Sequence, residues 1–229
     1  YFRADEPFGR QLLRFCDRKL PVLKKKFDEP LRLEDFPKIF TSPKVTMESP
    51  GPGKRVKQWL PEYEGTELYH ALYLPTDWEA GKKYPVIVEY SGNQYKGSQG
   101  TVDECDLGYG ITGGKQHILV SLPYVAEDGK RNEGQWWGNI EATVAYCKET
   151  VPLVCRKYGG NPDMVFLAGF SRGAIACNYI GLHDDEIARL WCGFICHSHY
   201  DGVKQWNYPE SNRESAKKRL DRLTRISHR

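Results

Sequence analysis

Between Met164 and Tyr179 the sequence reads MVFLAGFSRGAIACNY, and this stretch narrows the fold more than any other. An apolar run of strand length meets Gly169-Phe170-Ser171-Arg172-Gly173, and a segment of small residues follows. Gly-x-Ser-x-Gly in that setting predicts a strand, a sharp turn at the serine, and then a helix. Glycines two before and two after the serine leave room for strand and helix to approach each other. The turn lifts the hydroxyl off the carboxyl end of the strand, where open α/β sheets bind ligands. The helix N-terminus aims backbone N–H groups at the same spot, and these favour a developing oxyanion. The competing reading is an ordinary βα turn with a serine N-cap. The apolar strand before Ser171 and the small-residue helix after it favour the nucleophile.

Strands and helices alternate around this segment. Residues 56–63, 66–75 and 84–92 predict three successive strands, and residues 117–125 a fourth. In the second, Leu68, His70, Leu72 and Leu74 fall on one face. The third is a continuous apolar run, as expected of a strand buried on both faces. Residues 138–159 predict a long helix with Ile140, Val144, Cys147 and Val151 inward, ending at Gly159-Gly160. Residues 164–171 give a fifth strand, 172–184 a helix, 190–199 a sixth strand, and 214–227 a basic amphipathic helix with Leu220, Leu223 and Ile226 inward. The predicted class is α/β, a mostly parallel sheet flanked by helices. The first two strands are joined too closely for a crossover, so they form an antiparallel lead-in. Residues 1–55 are read as a helical extension and a Pro-, Gly- and Ser-rich linker, and residues 56–229 as the domain.

Composition sets outer limits. With 229 residues, 40% of them hydrophobic, the chain has enough apolar side chains for one sizeable core. The net charge of +3 singles out no partner, and Lys24–Lys26, followed at once by acidic residues, is read as a solvated face rather than a nucleic-acid patch. No apolar run has the length of a membrane span, and no signal peptide is visible. Seven cysteines, an odd number with no Cys-x-x-Cys spacing, argue against a zinc site. A Cys147–Cys177 disulfide stays open.

From about Trp59 onward the chain resembles the α/β-hydrolase superfamily, especially its esterase and prolyl-oligopeptidase-like branch. Residues 64–93, EGTELYHALYLPTDWEAGKKYPVIVEYSGN, and 158–174, YGGNPDMVFLAGFSRGA, carry the likeness. The resemblance implies Ser171 as nucleophile, with the backbone N–H groups of Asn93 and Arg172 holding the oxyanion. Where the family has a His-Gly-rich turn after its third strand, this chain has Ser91-Gly92-Asn93. Trp136 and Trp137, in NEGQWWGNIEA, are candidates for stacking on a substrate, with loop-anchoring core as an equal alternative. His197, His199, Tyr200, Asp201 and Trp206 form a polar, aromatic loop expected at the same edge.

A serine nucleophile needs a base and an orienting acid. The family order is serine, acid, histidine, with the acid after a seventh strand and the histidine after an eighth. Six strands are counted here, so the last strands are expected to be missing and the usual acid and base to lie beyond Arg229. The rival places the acid at Asp201 and the base at His228. His70 and His117 are read as structural and His183 as a surface residue. A metal set of His197, His199 and Asp201 is set aside for want of a fourth ligand. The resulting expectation is a serine hydrolase acting without cofactor or metal on a carboxylic ester, preferably an acetyl or feruloyl ester of a polysaccharide. A serine peptidase of the same branch and a non-catalytic or inactive relative are the alternatives. The absence of a propeller before the domain counts against the full-length oligopeptidase type.

Overall fold

The computed structural model describes residues 42–198 and 217–222, all within the unit Ile39–Arg229. Six strands form one mixed sheet in the order β1-β2-β4-β3-β5-β6. They are β1 (Arg55–Gln58), β2 (His70–Tyr73), β3 (Tyr84–Tyr90), β4 (Ile118–Leu122), β5 (Gly160–Phe170) and β6 (Gly193–His197). Strand β2 runs antiparallel to both neighbours, with Gln58 opposite His70 and Ala71 opposite Ser121. Strands β3, β4, β5 and β6 are mutually parallel. The class is therefore α/β with an antiparallel lead-in, and each described strand lies where the residue pattern placed one. This topology sets the carboxyl ends of β3 to β6, the carboxyl end of β1 and the amino end of β2 along a single edge.

Alternation along β3 divides the core. Val86, Val88 and Tyr90 join the main cluster under the helices α2 (Ile140–Tyr158) and α3 (Arg172–Tyr179). Ile87 joins Tyr73, Leu119 and Ala168 on the opposite face, where Leu107 and Tyr109 of α1 (Leu107–Thr112) pack. Asn139 caps α2 by accepting the Ala142 N–H at 2.9 Å. Gly159 ends the helix with φ of 81°, a left-handed conformation that glycine adopts without a Cβ clash. Val144, Cys147 and Val151 are buried, and Ile140 packs at the margin of the cluster.

A short α4 (Asp185–Ala188) follows α3, capped by the Asp184 carboxylate. Helical residues 217–222 dock on this region through the basic side chains of Arg219 and Arg222. The Arg219 guanidinium lies 4.5 Å from the Tyr179 ring centroid, and Arg222 bonds Asp185 and the carbonyls of Leu182 and His183. Leu223 and Ile226 lie outside the described residues, as does the N-terminal extension through residue 41. From Thr46 the segment read as linker runs along β1, with the Thr46 N–H on the Arg55 carbonyl and the Lys57 N–H on the Thr46 carbonyl, both at 2.9 Å. Cys147 and Cys177 are free thiols, and no disulfide is present among the described residues.

Candidate active site

The turn between β5 and α3 holds Ser171 at φ 53° and ψ −114°. A residue with a Cβ rarely enters this region, and doing so costs about 1–3 kcal/mol. The surroundings enforce it. The Ser171 N–H donates to the His197 carbonyl at 3.0 Å, which ties the turn to the end of β6. The flanking glycines are required by contact. A Cβ at Gly169 would lie 2.1 Å from the Gly173 carbonyl carbon, and one at Gly173 would lie 2.0 Å from the Tyr90 carbonyl oxygen. Helix α3 thus sits so close on β3 and β5 that only glycine fits.

Two loops converge on the serine. After β3, Gly92 lies against the turn: a Cβ there would stand 3.3 Å from the Phe170 ring and 3.6 Å from Ser171 Cβ. Asn93 follows, and its Oδ1 accepts the Trp136 N–H at 2.8 Å. The 133–136 loop is thereby fastened to the turn that was expected to supply an oxyanion donor. Arg172 is the first residue of α3, so its N–H belongs to the first turn, whose N–H groups have no intrahelical acceptor.

The Arg172 side chain performs a task that sequence reading did not foresee. It is 1% exposed and reaches under both loops. One nitrogen of its fork donates to Gly92 O at 2.9 Å, Gly100 O at 2.9 Å and Ser91 Oγ at 3.2 Å. The other donates to Trp136 O at 2.8 Å and Glu133 O at 3.2 Å. Its Cζ lies 4.0 Å from the Tyr124 ring centroid. One guanidinium thus links the residue after the serine to both walls of the site, using the fixed donor geometry that distinguishes arginine from lysine.

A cavity of about 980 Å³ opens beside Ser171, lined by residues that include Gly92, Asn93, Tyr95, Gln135 and Phe170. Tyr95 and Phe170 are 69% and 48% exposed and give the opening an aromatic rim. Glu89 lies in the wall of the same cavity. Its carboxylate accepts the Gly108 N–H at 2.8 Å and the Leu107 N–H at 3.0 Å. Burial raises its pKa from 4.5 to about 7, against the lowering effect of those two N–H groups. A visible signal for this residue existed: a lone charge inside the apolar run Tyr84–Tyr90.

The remaining expected site residues divide. Trp137 is fully buried, stacked on Tyr179 at 5.3 Å, so it is core, and its expected role on a substrate is corrected. Trp136 packs beside it at 5.8 Å, tilted by 57°. Trp136 is half-buried and, with φ of 51°, contributes its backbone N–H and carbonyl to the loop ties described above. The His197 ring packs 5.3 Å from Phe170 on the face away from α3, above α1. His199, Tyr200, Asp201, Trp206 and His228 lie outside the described residues. Among the described residues, no imidazole or carboxylate is hydrogen-bonded to the Ser171 hydroxyl. His70 is buried against Tyr146 at 2.9 Å and is held neutral by that burial, its pKa lowered to about 3. His183, read as a surface residue, is partly exposed and faces the exposed Glu141 at 3.2 Å. No group of three or more ligand-type side chains that could hold a metal occurs among the described residues. No helix there is long and apolar enough to cross a membrane.

No protein-family model matches the sequence, and no curated protein matches it. Solved structures of similar shape include a feruloyl esterase module from Clostridium thermocellum, 16% identical with a TM-score of 0.47, covering 80% of this chain and 70% of that one. A thermostable esterase is 15% identical with a TM-score of 0.45, covering 76% of this chain and 52% of that one. A dipeptidyl aminopeptidase IV candidate from Bacteroides ovatus is 18% identical with a TM-score of 0.42, covering 58% of this chain and 20% of that one. The chain thus spans about half the length of the thermostable esterase and a fifth of that of the aminopeptidase candidate. On its own strand order, parallel crossovers and strained serine turn, the chain has the α/β-hydrolase fold.

Proposed function

We propose that this protein is a serine hydrolase that cleaves carboxylic esters through an acyl-enzyme on Ser171. The observation that carries the reading is the Ser171 backbone, held at φ 53° and ψ −114° on a cavity wall between glycines whose contacts leave no room for a Cβ. Strain maintained at one partly exposed polar residue on a cavity wall is the mark of a site rather than of a packing solution. The Ser171 oxygen attacks the ester carbonyl carbon while a histidine accepts its proton. The N–H groups of Asn93 and Arg172 hold the oxyanion, the alcohol leaves with the proton, and water then releases the acid. Asp201 remains the proposed acid within this chain. The preferred substrate is an acetyl or feruloyl ester of a polysaccharide, and the aromatic rim of Tyr95 and Phe170 supports the aromatic acyl group.

A fluorophosphonate probe tests this on the full-length protein. Labelling at Ser171, lost in Ser171→Ala and accompanied by p-nitrophenyl acetate hydrolysis, is the expected result. A folded full-length protein that takes up no probe would overturn the hydrolase reading in favour of a non-catalytic binding protein.

A further inference from the structure

The same edge of the sheet carries a second depression, of about 520 Å³, at the β1 side. Its walls bring Trp59 and Tyr69 together, ring centroids 5.7 Å apart at 53°. The Trp59 N–H is spent on the Thr66 carbonyl at 3.1 Å, so this ring offers an apolar face rather than a donor. The Tyr69 hydroxyl is held on the Asp103 carboxylate at 2.9 Å, and Lys57 Nζ lies 4.1 Å from the Tyr69 ring centroid. Glu67 and Arg131 complete the charged rim.

Two features of this groove select a ligand class. The four charges of its lining sum to zero, Lys57 and Arg131 against Glu67 and Asp103, and Arg131 is itself paired with Asp128 at 3.1 Å, so an anionic phosphate finds no net positive field. What remains is an aromatic face beside charged donors and acceptors, which suits a neutral ligand with an apolar face and many hydroxyls. The location gives the second argument. Trp59 follows β1 and Ser171 follows β5, four strand spacings away along the edge, which is roughly 19 Å at about 4.8 Å per strand. Thr101 and Val102 in the groove wall directly follow Gly100, whose carbonyl Arg172 binds, so one loop borders both depressions. An oligosaccharide of several residues spans such a distance, and a small monomeric ester does not.

We propose that this groove is a subsite for a neutral oligosaccharide, holding sugar residues remote from the ester presented to Ser171. Its place in the reaction rests on the hydrolase reading, while the binding itself does not. The test is calorimetric titration of full-length Ser171→Ala with unesterified xylohexaose and cellohexaose, and with hexagalacturonate as the anionic control. Saturable binding of one neutral hexaose is expected, weakened tenfold or more by Trp59→Ala. Trp59→Phe, which keeps a ring and guards against misfolding, is expected to stay within a few-fold. Absence of saturable binding by both neutral sugars, binding undiminished in folded Trp59→Ala, or a preference for hexagalacturonate would each overturn the proposal. Sugar binding by a protein whose Ser171 takes up no fluorophosphonate would uphold the groove and sink only the hydrolase reading.

Discussion

Tyr90 and Glu89 are neighbours in β3, yet the two faces they enter are built on different terms. On the Tyr90 side an aromatic series fills the space under α2 and α3. Tyr90 meets Tyr124 at 4.9 Å, Tyr124 meets Trp137 at 6.1 Å, and Trp137 stacks on Tyr179 at 5.3 Å. Arg172 lies on Tyr124 at its upper end. On the Glu89 side a buried carboxylate rests on two backbone N–H groups, and Phe170 stands half out of the protein. The contrast teaches how a strained serine is kept in place. The closely packed face fixes the turn from below, and the polar face is left open where a ligand enters.

The largest test of that division is Gly173→Ala. The new methyl would meet the Tyr90 carbonyl oxygen at 2.0 Å, so α3 must leave β3. Loss of more than about 4 kcal/mol in urea denaturation is expected. A near-neutral result would show that the turn does not depend on this packing. Next comes the tryptophan pair. Trp137→Ala should cost about 4 kcal/mol as a large core truncation, and Trp136→Ala about 1 kcal/mol. Equal losses would place both rings in the core and dissolve the distinction between loop and aromatic series.

Much of this was legible in the residues, for identifiable reasons. The continuous apolar run of β3 and the alternation of β2 report burial directly, and the glycines of the turn report contacts that leave no room for a Cβ. The Trp136–Trp137 pair was not separable, because adjacent identical residues in a loop carry no periodicity to say which ring turns inward. The Arg172 side chain was equally hidden. Its acceptors are Ser91 and carbonyls at Gly92, Gly100, Glu133 and Trp136, and neither their identity nor their distance along the chain announces a common partner. Glu89 was visible as an exception to its strand, though its N–H partners in α1 were not.

Glu89 gives the open face its own signature in pH. Its pKa rises from 4.5 unfolded to about 7 folded. Between those values the folded state holds a proton that the unfolded chain has released, so stability falls as pH rises across this window. Below it the native state carries no charging penalty, and above it the full penalty applies. The decline should amount to roughly 3 kcal/mol between pH 4.5 and 7, at about 1.36 kcal/mol per pKa unit. Glu89→Gln shifts the overall stability by a constant through its altered bonds to Leu107 and Gly108, and should remove the slope. Parallel pH profiles of variant and parent in denaturant titrations would show that Glu89 titrates in the folded protein as it does in the unfolded chain.

The smallest effect isolates the strain itself. Ser171→Ala removes the hydroxyl but keeps a Cβ at φ 53°, so the backbone penalty stays. Ser171→Gly removes both and relieves about 1–3 kcal/mol of strain, offset by about 0.5–1 kcal/mol for the greater freedom of glycine in the unfolded chain. The glycine variant should therefore be more stable than the alanine variant by about 1 kcal/mol, while neither is labelled by fluorophosphonate. Both lack the nucleophile, so their difference in denaturation midpoint reads the backbone alone. If alanine proves as stable as glycine, the turn is relaxed at position 171, and the packed face would be accommodating the serine rather than forcing it.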